Sequence, residues 1–219
     1  MALNKLKYNS LNVTPAANKA ISFDSDPDAL EATLEPGSMT FIKKLTASSD
    51  GTLSFVNGSS DVVLDSTYKE YMFIFNNMHP ETDNVDFLVN FSADGGSNYN
   101  VTKTTNFFAA YQNESGSATS LTYADANDLA QSTDFQMLND GVGNGNDETC
   151  AGTLHLFNPS STTFIKHFLA TSHRYYYTDY AIVDYMAGYC NTTSAINAVQ
   201  FKFQSGDMDA GTITLYGIN

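Results

Sequence analysis

The sequence predicts an all-β protein, an antiparallel β-sandwich that is jelly-roll-like and carries long polar loops. Short runs in which apolar and polar residues alternate, as in residues 85–91 and 199–203, are typical of strands with one buried face. Clusters of Gly, Asp, Asn and Ser separate these runs, as turns require. The 13 Tyr and 15 Phe, with no Trp, also favour sheet over helix.

The 219 residues are expected to form one domain preceded by an arm. Residues 1–20 show no regular period, and Pro15 interrupts them. We therefore expect an extended N-terminal arm over residues 1–20 and a single β-sandwich domain over residues 21–219. A frayed terminus is the alternative interpretation of the arm.

In the first half of the chain, turn residues divide the strands into two predicted hairpins. Residues 41–46 and 52–56 flank a Ser-Ser-Asp-Gly turn, which predicts the first hairpin. Residues 71–75 are almost continuously apolar, as in a central strand buried on both sides. Residues 85–92 and 99–105 flank an Asp-Gly-Gly turn, which predicts the second hairpin.

The second half begins with a polar stretch, residues 113–147, that we expect to be long loops and to contact other molecules. Within it, residues 125–131 predict a short helix capped by Asp125, and residues 139–147 resemble pure loop. Residues 151–157 and 163–170 then predict a hairpin around an Asn-Pro-Ser-Ser turn.

The end of the chain gives the clearest pattern. Val199, Phe201 and Phe203 alternate with polar residues, a Ser-Gly-Asp turn follows, and Ile213 and Leu215 share one face of a last strand. This pattern predicts a C-terminal β-hairpin.

Charge restricts the possible partners and the compartment. A net charge of −14 and a pI of 4.3 argue against binding to nucleic acid or to an anionic membrane. The sequence has neither an apolar run long enough for a membrane span nor the apolar core of a signal peptide. We expect synthesis in a cytoplasm, with Cys150 and Cys190 as free thiols. The two would pair only after exposure to air, and only if they are neighbours in space.

Three groups of residues resemble metal or proton-binding sites. Asp24, Asp26, Asp28 and Glu35 follow the spacing of a calcium loop, but Ala29 stands where the loop needs Gly, and Pro27 interrupts it. A solvated acidic turn is the better interpretation. His79, Glu81 and Asp83 have too few nitrogen or sulfur ligands for zinc, which favours a polar loop. His155 and His167 lie on the two strands of one predicted hairpin and would form a pH-sensitive pair if they were opposite each other.

Tyrosines form the densest aromatic group of the sequence. Tyr175, Tyr176, Tyr177 and Tyr180 are candidate contacts for a protein interface or for a glycan, because tyrosine combines a large apolar surface with a polar tip. The alternative is that they simply pack against the sheet. The sequence shows no nucleophile elbow, phosphate loop, dinucleotide fingerprint or zinc-protease motif. We therefore expect neither an enzyme nor a cofactor, although the paired carboxylates of a glycosidase would leave no local signature.

Three segments carry a resemblance to a known group of proteins. They are VQFKFQSGDMDAGTITLYGIN at the end, LNKLKYNSLNVTPAANKAISF at the start and LHLFNPSSTTFIKHF between them. They resemble segments of bacteriophage virion structural proteins, a group often seen in phages of aquatic bacteria. The resemblance implies a non-catalytic component of the virion, with no catalytic motif to transfer.

The expected role within that group is a capsid-surface decoration or accessory protein, made in the host cytoplasm and located in the virion. The alternatives are a tail fibre or tail adaptor protein and a host-glycan-binding module of the particle. The expected partners are the major capsid protein or a tail protein, together with further copies of the chain.

Overall fold

The computed structural model describes residues 22–23, 30–31 and 38–219. The chain divides into two compact units, Met1–Ser38 and Met39–Asn219. In the first unit, β1 (Ser22–Phe23) and β2 (Leu30–Glu31) form a two-stranded antiparallel sheet. The predicted arm over residues 1–20 and the calcium-like carboxylates Asp24, Asp26, Asp28 and Glu35 lie outside the described residues.

The second unit is built entirely from antiparallel strands, which confirms the predicted fold class. Eight strands form a large sheet in the order β3-β14-β5-β10-β11-β12-β7-β8. Their bounds are β3 Met39–Thr46, β5 Glu70–Pro80, β7 Lys103–Asn113, β8 Thr119–Tyr123, β10 Cys150–Phe157, β11 Lys166–Tyr176, β12 Tyr180–Cys190 and β14 Met208–Ile218.

Four strands form a smaller sheet in the order β9-β6-β13-β4. Their bounds are β4 Leu53–Val56, β6 Val85–Ser92, β9 Gln136–Val142 and β13 Ala198–Phe203. The two sheets join where Tyr176 of β11 pairs with Val142 of β9. The jelly-roll topology stays a prediction, since the described strands divide eight against four.

Aromatic side chains from the two sheets meet in one core, which makes the unit a sandwich. The ring of Phe73 on β5 lies 5.5 Å from that of Phe201 on β13, and Phe75 lies 5.3 Å from Phe87 on β6. Phe91 and Phe168 meet in the same way at 5.1 Å. All of these side chains are fully buried, so the contact between the two layers excludes water.

The predicted strands are present, although the one predicted over residues 99–105 begins at Lys103, but three of the predicted hairpins are wrong. β3 pairs with β14 and β4 pairs with β13, so residues 41–46 and 52–56 lie in different sheets. β6 pairs with β9 and β13, whereas β7 pairs with β8 and β12. The two C-terminal strands, β13 and β14, are likewise in opposite sheets. Alternation shows which face of a strand is buried and says nothing about its partner, and these turns carry the chain from one layer to the other.

The β10–β11 hairpin is confirmed, with Leu156 opposite Phe168. The expectation for residues 71–75 needs correction, because only one face of β5 is fully buried. Tyr71, Phe73 and Phe75 point into the core, and the side chains between them are partly exposed.

The polar stretch 113–147 is more regular than predicted, because it contains β8 and β9. The predicted helix is a single 3-10 turn, Asp125–Asn127, which follows Ala124 and has no side-chain cap. It ends at Asp128, whose backbone is extended. The expected pure loop over residues 139–147 begins inside β9, where the side chain of Asn139 is buried and hydrogen-bonded.

Candidate functional site

The four candidate tyrosines lie at the tip of the β11–β12 hairpin, where Tyr176 pairs with Tyr180. Because side chains alternate along a strand, Tyr175 and Tyr176 point to opposite faces of the sheet. Tyr176 and Tyr180 share the inner face, with ring centroids 6.1 Å apart, and Tyr177 packs on Tyr176 at 4.6 Å. The structure therefore brings three of the four together.

Tyr175 is held apart on the outer face by two carboxylates. Its hydroxyl lies 3.0 Å from Oε1 of Glu114 and 3.0 Å from Oδ1 of Asp179, sharing its proton between them. The hydrogen bond to Glu114 and then the bond to Asp179 raise the pKa of Tyr175 above its ordinary value. This tyrosine therefore fastens the hairpin to the end of β7.

A cleft opens on the inner face of the large sheet, where β7, β8 and β12 extend past the smaller sheet. Its volume is about 410 Å³. Aromatic, small and polar side chains line it: Phe107, Ala109, Tyr111, Thr122, Ala124, Asn127, Asp140, Arg174, Tyr176, Tyr180 and Ile182. We call it the tyrosine cleft, after Tyr111, Tyr176 and Tyr180. The ring of Tyr111 stands edge-on to that of Tyr180, with centroids 5.6 Å apart and planes at 72°.

A buried polar network adjoins the cleft through Arg174, which lines it. Arg174 of β11 forms an ion pair with Asp184 of β12, and the two side chains are 4% and 0% exposed. Asn139 of β9 donates hydrogen bonds to Asp184 Oδ2 at 2.9 Å and to Ser172 Oγ at 2.8 Å. Ser172 donates in turn to the carbonyl of Leu138 at 2.7 Å. The network therefore ties the large sheet to β9 of the smaller one.

The electrostatics of this network follow from burial. Burial raises the pKa of Asp184 to about 6, against the opposing charge of Arg174. The guanidinium carbon of Arg174 lies 5.5 Å from the ring centre of Tyr176, close enough for a cation–π contact. Its Nε has no hydrogen-bond partner. Nε is itself buried, so its N–H is an unsatisfied donor in the interior, where buried donors are normally paired.

Gly141 positions Tyr176. Its backbone has φ of +61°, and a Cβ at this position would lie 2.4 Å from Cε2 of Tyr176. Its amide donates to Oδ1 of Asp86 at 3.1 Å. A glycine is therefore required both by the left-handed backbone and by the close approach of the tyrosine ring.

The opposite, outer face of the same strands carries a row of exposed aromatic side chains. Cross-strand pairing places Tyr185, Phe108 and Tyr123 side by side on β12, β7 and β8. The rings of Phe108 and Tyr185 are stacked 5.0 Å apart at 12°. We call these three residues the outer aromatic row. Two exposed leucines, Leu169 and Leu121, flank it.

No Asp, Glu, Lys or Arg occupies an outward position on β11, β12, β7 or β8. The outward residues of β12, for example, are Ala181, Val183, Tyr185, Ala187 and Tyr189. In a chain with a net charge of −14, four neighbouring strands without a charged outward residue are unusual. The carboxylates at the margin of this face belong to turns and loops: Glu114 and Asp179 bind Tyr175, and Asp128 binds Tyr123.

No family model, curated protein or solved structure matches this chain.

The condition for a histidine pair is not met, because His155 and His167 are not opposite each other. Register places His155 opposite Leu169, and its Nδ1 lies 2.5 Å from Oε1 of Glu70. His167 is instead opposite Tyr189. The hairpin was predicted correctly, but the residue-by-residue register depends on its loop, which the sequence pattern does not fix.

The trio His79, Glu81 and Asp83 serves as a set of loop contacts. Nε2 of His79 donates to the carbonyl of Gly145 at 3.1 Å, and Asp83 accepts from the amide of Asn144 at 3.3 Å. Among the described residues, no three His, Cys, Asp or Glu side chains come together as a metal site. In the same part of the chain, no helix has the length and apolar character to cross a membrane.

Sequence reasoning found Tyr176 and Tyr180 but missed the groups that complete the cleft. Tyr111 and Asp140 come from distant parts of the chain and join the site only through strand pairing. The outer aromatic row had a signal in the sequence, because every second residue of 104–112 and 181–189 is uncharged. That signal is meaningful only once β7 and β12 are known to be neighbours.

Proposed function

We propose that this protein is a non-enzymatic structural component of a bacteriophage particle that binds to the capsid surface as a decoration protein. The observation that carries the proposal is the outer face, whose four strands present a row of exposed aromatic rings and no charged residue. Protein interfaces are depleted in charged residues at their centre and enriched in Tyr and Phe. The resemblance of three sequence segments to virion structural proteins supports the particle as the place where this face acts.

The partner we propose for the outer face is the major capsid protein. Docking would cover the exposed side chains of Phe108 and Leu121. Each Å² of apolar surface removed from water contributes about 25 cal/mol to association. The entropy lost on binding offsets part of this gain. The acidic remainder of the surface keeps the chain soluble before assembly in the host cytoplasm. It also disfavours contact with packaged nucleic acid or with an anionic membrane.

Two other arrangements use the same face. The chain would serve as a tail fibre or tail adaptor if the partner were a tail protein, and a second copy on this face would give a homo-oligomer. Strands without charged outward residues suit either partner, because docking then buries no unpaired charge.

Stoichiometry in purified particles of the phage that encodes this chain tests the proposal. We expect quantitative mass spectrometry to find the protein at a ratio to the major capsid protein that is close to a simple whole-number fraction. A much lower ratio to the major capsid protein would indicate that the protein is a component of the tail. Its absence from purified particles would contradict any structural role.

A variant tests the docking face itself. Phe108→Ser with Tyr185→Ser should abolish rebinding of the purified protein to particles that lack it, because the stacked pair at the centre of the face is lost. Phe164→Ser is the control, since Phe164 is also aromatic and is more exposed than Phe108, 68% against 39%, but lies in the loop between β10 and β11. Equal rebinding by the double variant and the control would contradict the proposed face.

A further inference from the structure

We infer that the tyrosine cleft is a binding site for a neutral saccharide. The cleft lies on the inner face of the large sheet, and the outer aromatic row lies on the opposite face. The inference therefore does not rest on docking through the outer face, and the two can be tested separately.

The walls of the cleft suit a sugar ring. Sugar rings combine an apolar face of C–H groups with hydroxyls at the edge, and an aromatic ring covers the apolar face. Tyr111, Tyr176 and Tyr180 present three rings around a volume of about 410 Å³, within the range of ligand pockets, about 300–1,000 Å³. Their near-perpendicular planes, at 72° and 88°, allow one ring to stack on the ligand while a second supports it from the side.

Polar groups at the base match the edge of a sugar. Asp140 lines the cleft and supplies carboxylate oxygens that accept hydrogen bonds from hydroxyls. Arg174 is 96% buried and lines the same cleft, where its guanidinium supplies N–H donors for a hydroxyl oxygen. A donor and acceptors below an aromatic wall give the arrangement that a hydroxylated ring requires.

The charge around the cleft selects a neutral ligand over an acidic one. The only cation of the network, Arg174, is already paired with Asp184. Asp140 lies close enough to Asp86 and Asp184 that its charge helps to raise the pKa of both, although burial is the larger cause for each. An added carboxylate or phosphate would meet this excess of negative charge, so uronic acids, sialic acid and nucleotides are disfavoured.

Glycan-array binding by the purified protein tests the inference. The array should carry neutral glycans built from glucose, galactose, mannose and N-acetylglucosamine, together with sialylated and uronic-acid glycans. We expect binding to at least one neutral class and none to the acidic classes. Binding to acidic glycans alone, or to no glycan, would overturn the inference.

Two variants then locate the bound sugar by titration with the best neutral glycan. Tyr180→Ala removes a wall and Asp140→Asn removes the carboxylate charge, and each should weaken binding at least about tenfold. Tyr185→Ala is the control, because Tyr185 lies on β12 of the same hairpin but faces outward, and the affinity of this variant for the glycan should equal that of the wild type. If the melting transition shows that Tyr180→Ala does not fold, the affinity of Asp140→Asn alone tests whether the sugar binds in the cleft. Unchanged affinity in the folded cleft variants would place the sugar elsewhere and overturn the assignment.

Discussion

Lys103 donates a hydrogen bond from Nζ to Oδ1 of Asn90 at 2.7 Å, in the interior between the two sheets. Both side chains are fully buried. A second bond joins Lys103 Nζ to the carbonyl of Val101, also at 2.7 Å. The amide of Asn90 donates to the carbonyls of Tyr99 and Thr133. The pair thus connects β7 of the large sheet to β6 of the smaller one without any carboxylate among its hydrogen-bond partners.

This buried lysine should make the stability of the protein increase with pH in the alkaline range. Burial lowers the pKa of Lys103 to about 8, whereas the unfolded lysine keeps its proton up to about pH 10.5. Between these values the unfolded chain binds more protons, so the free energy of unfolding rises with pH. The shift corresponds to about 3 kcal/mol across the interval.

Urea denaturation of the wild type and of Lys103→Met at several pH values from 7 to about 10.5 measures this effect. The free energy of unfolding of the wild type minus that of Lys103→Met should increase as the pH increases. Lys44→Met, at an exposed lysine of β3, is the control and should give a curve parallel to the wild type. A parallel curve for Lys103→Met as well would show that the buried amine does not titrate in this range.

The ion pair between Arg174 and Asp184 should behave as a unit. Arg174→Met leaves a buried carboxylate without its cation, which we expect to cost about 3–5 kcal/mol in the free energy of unfolding. Arg174→Met combined with Asp184→Leu removes both charges and should recover most of that loss. A double-mutant cycle by chemical denaturation checks this. Additive losses in the two single variants would mean that the two charges are not coupled.

The fold could be predicted from the sequence at the level of class and strand position, and the pairing could not. The alternation of Val199, Phe201 and Phe203 correctly identified a buried face. The turn that follows has the Ser-Gly-Asp composition of a hairpin turn, and Gly206 does adopt a positive φ of 69°. That turn instead carries the chain between the two layers. Local turn chemistry is the same in both cases, and only the packing of the two sheets distinguishes them.

The candidate site was predictable to a similar extent. Tyr176 and Tyr180 are close in sequence and fall on one hairpin, so their proximity was visible. Residues 139–141 have the composition of a loop, Asn-Asp-Gly, but belong to β9. Two tertiary contacts hold them there. The buried side-chain amide of Asn139 donates to Asp184, and Gly141 leaves room for the ring of Tyr176. Tertiary contacts override local propensity at these positions.

The two cysteines should be inert in the native protein. Both are free, as the sequence predicted, and the structure shows that both are also buried. Burial raises the pKa of Cys190 to about 12 and that of Cys150 further above its ordinary value, so the reactive thiolate is scarce at neutral pH. Titration with a thiol reagent should label neither cysteine in buffer and both in urea. Rapid labelling of the native protein would show that one of the thiols is accessible.

Gly141→Ala should destabilise the protein more than an alanine at another left-handed glycine. Gly141 and Gly116 have φ of +61° and +69°, so both substitutions carry the cost of a side chain in the left-handed region, about 1–2 kcal/mol. Only at Gly141 does the new Cβ also meet the ring of Tyr176, whereas nothing lies within 4 Å at Gly116. Displacing a packed ring adds about 1–3 kcal/mol. Thermal and urea denaturation of both variants give the difference, and the near-ultraviolet signal of the tyrosines should change only in Gly141→Ala. Equal destabilisation with an unchanged spectrum would mean that Tyr176 is free to move away, and that Gly141 does not hold the wall of the cleft in place.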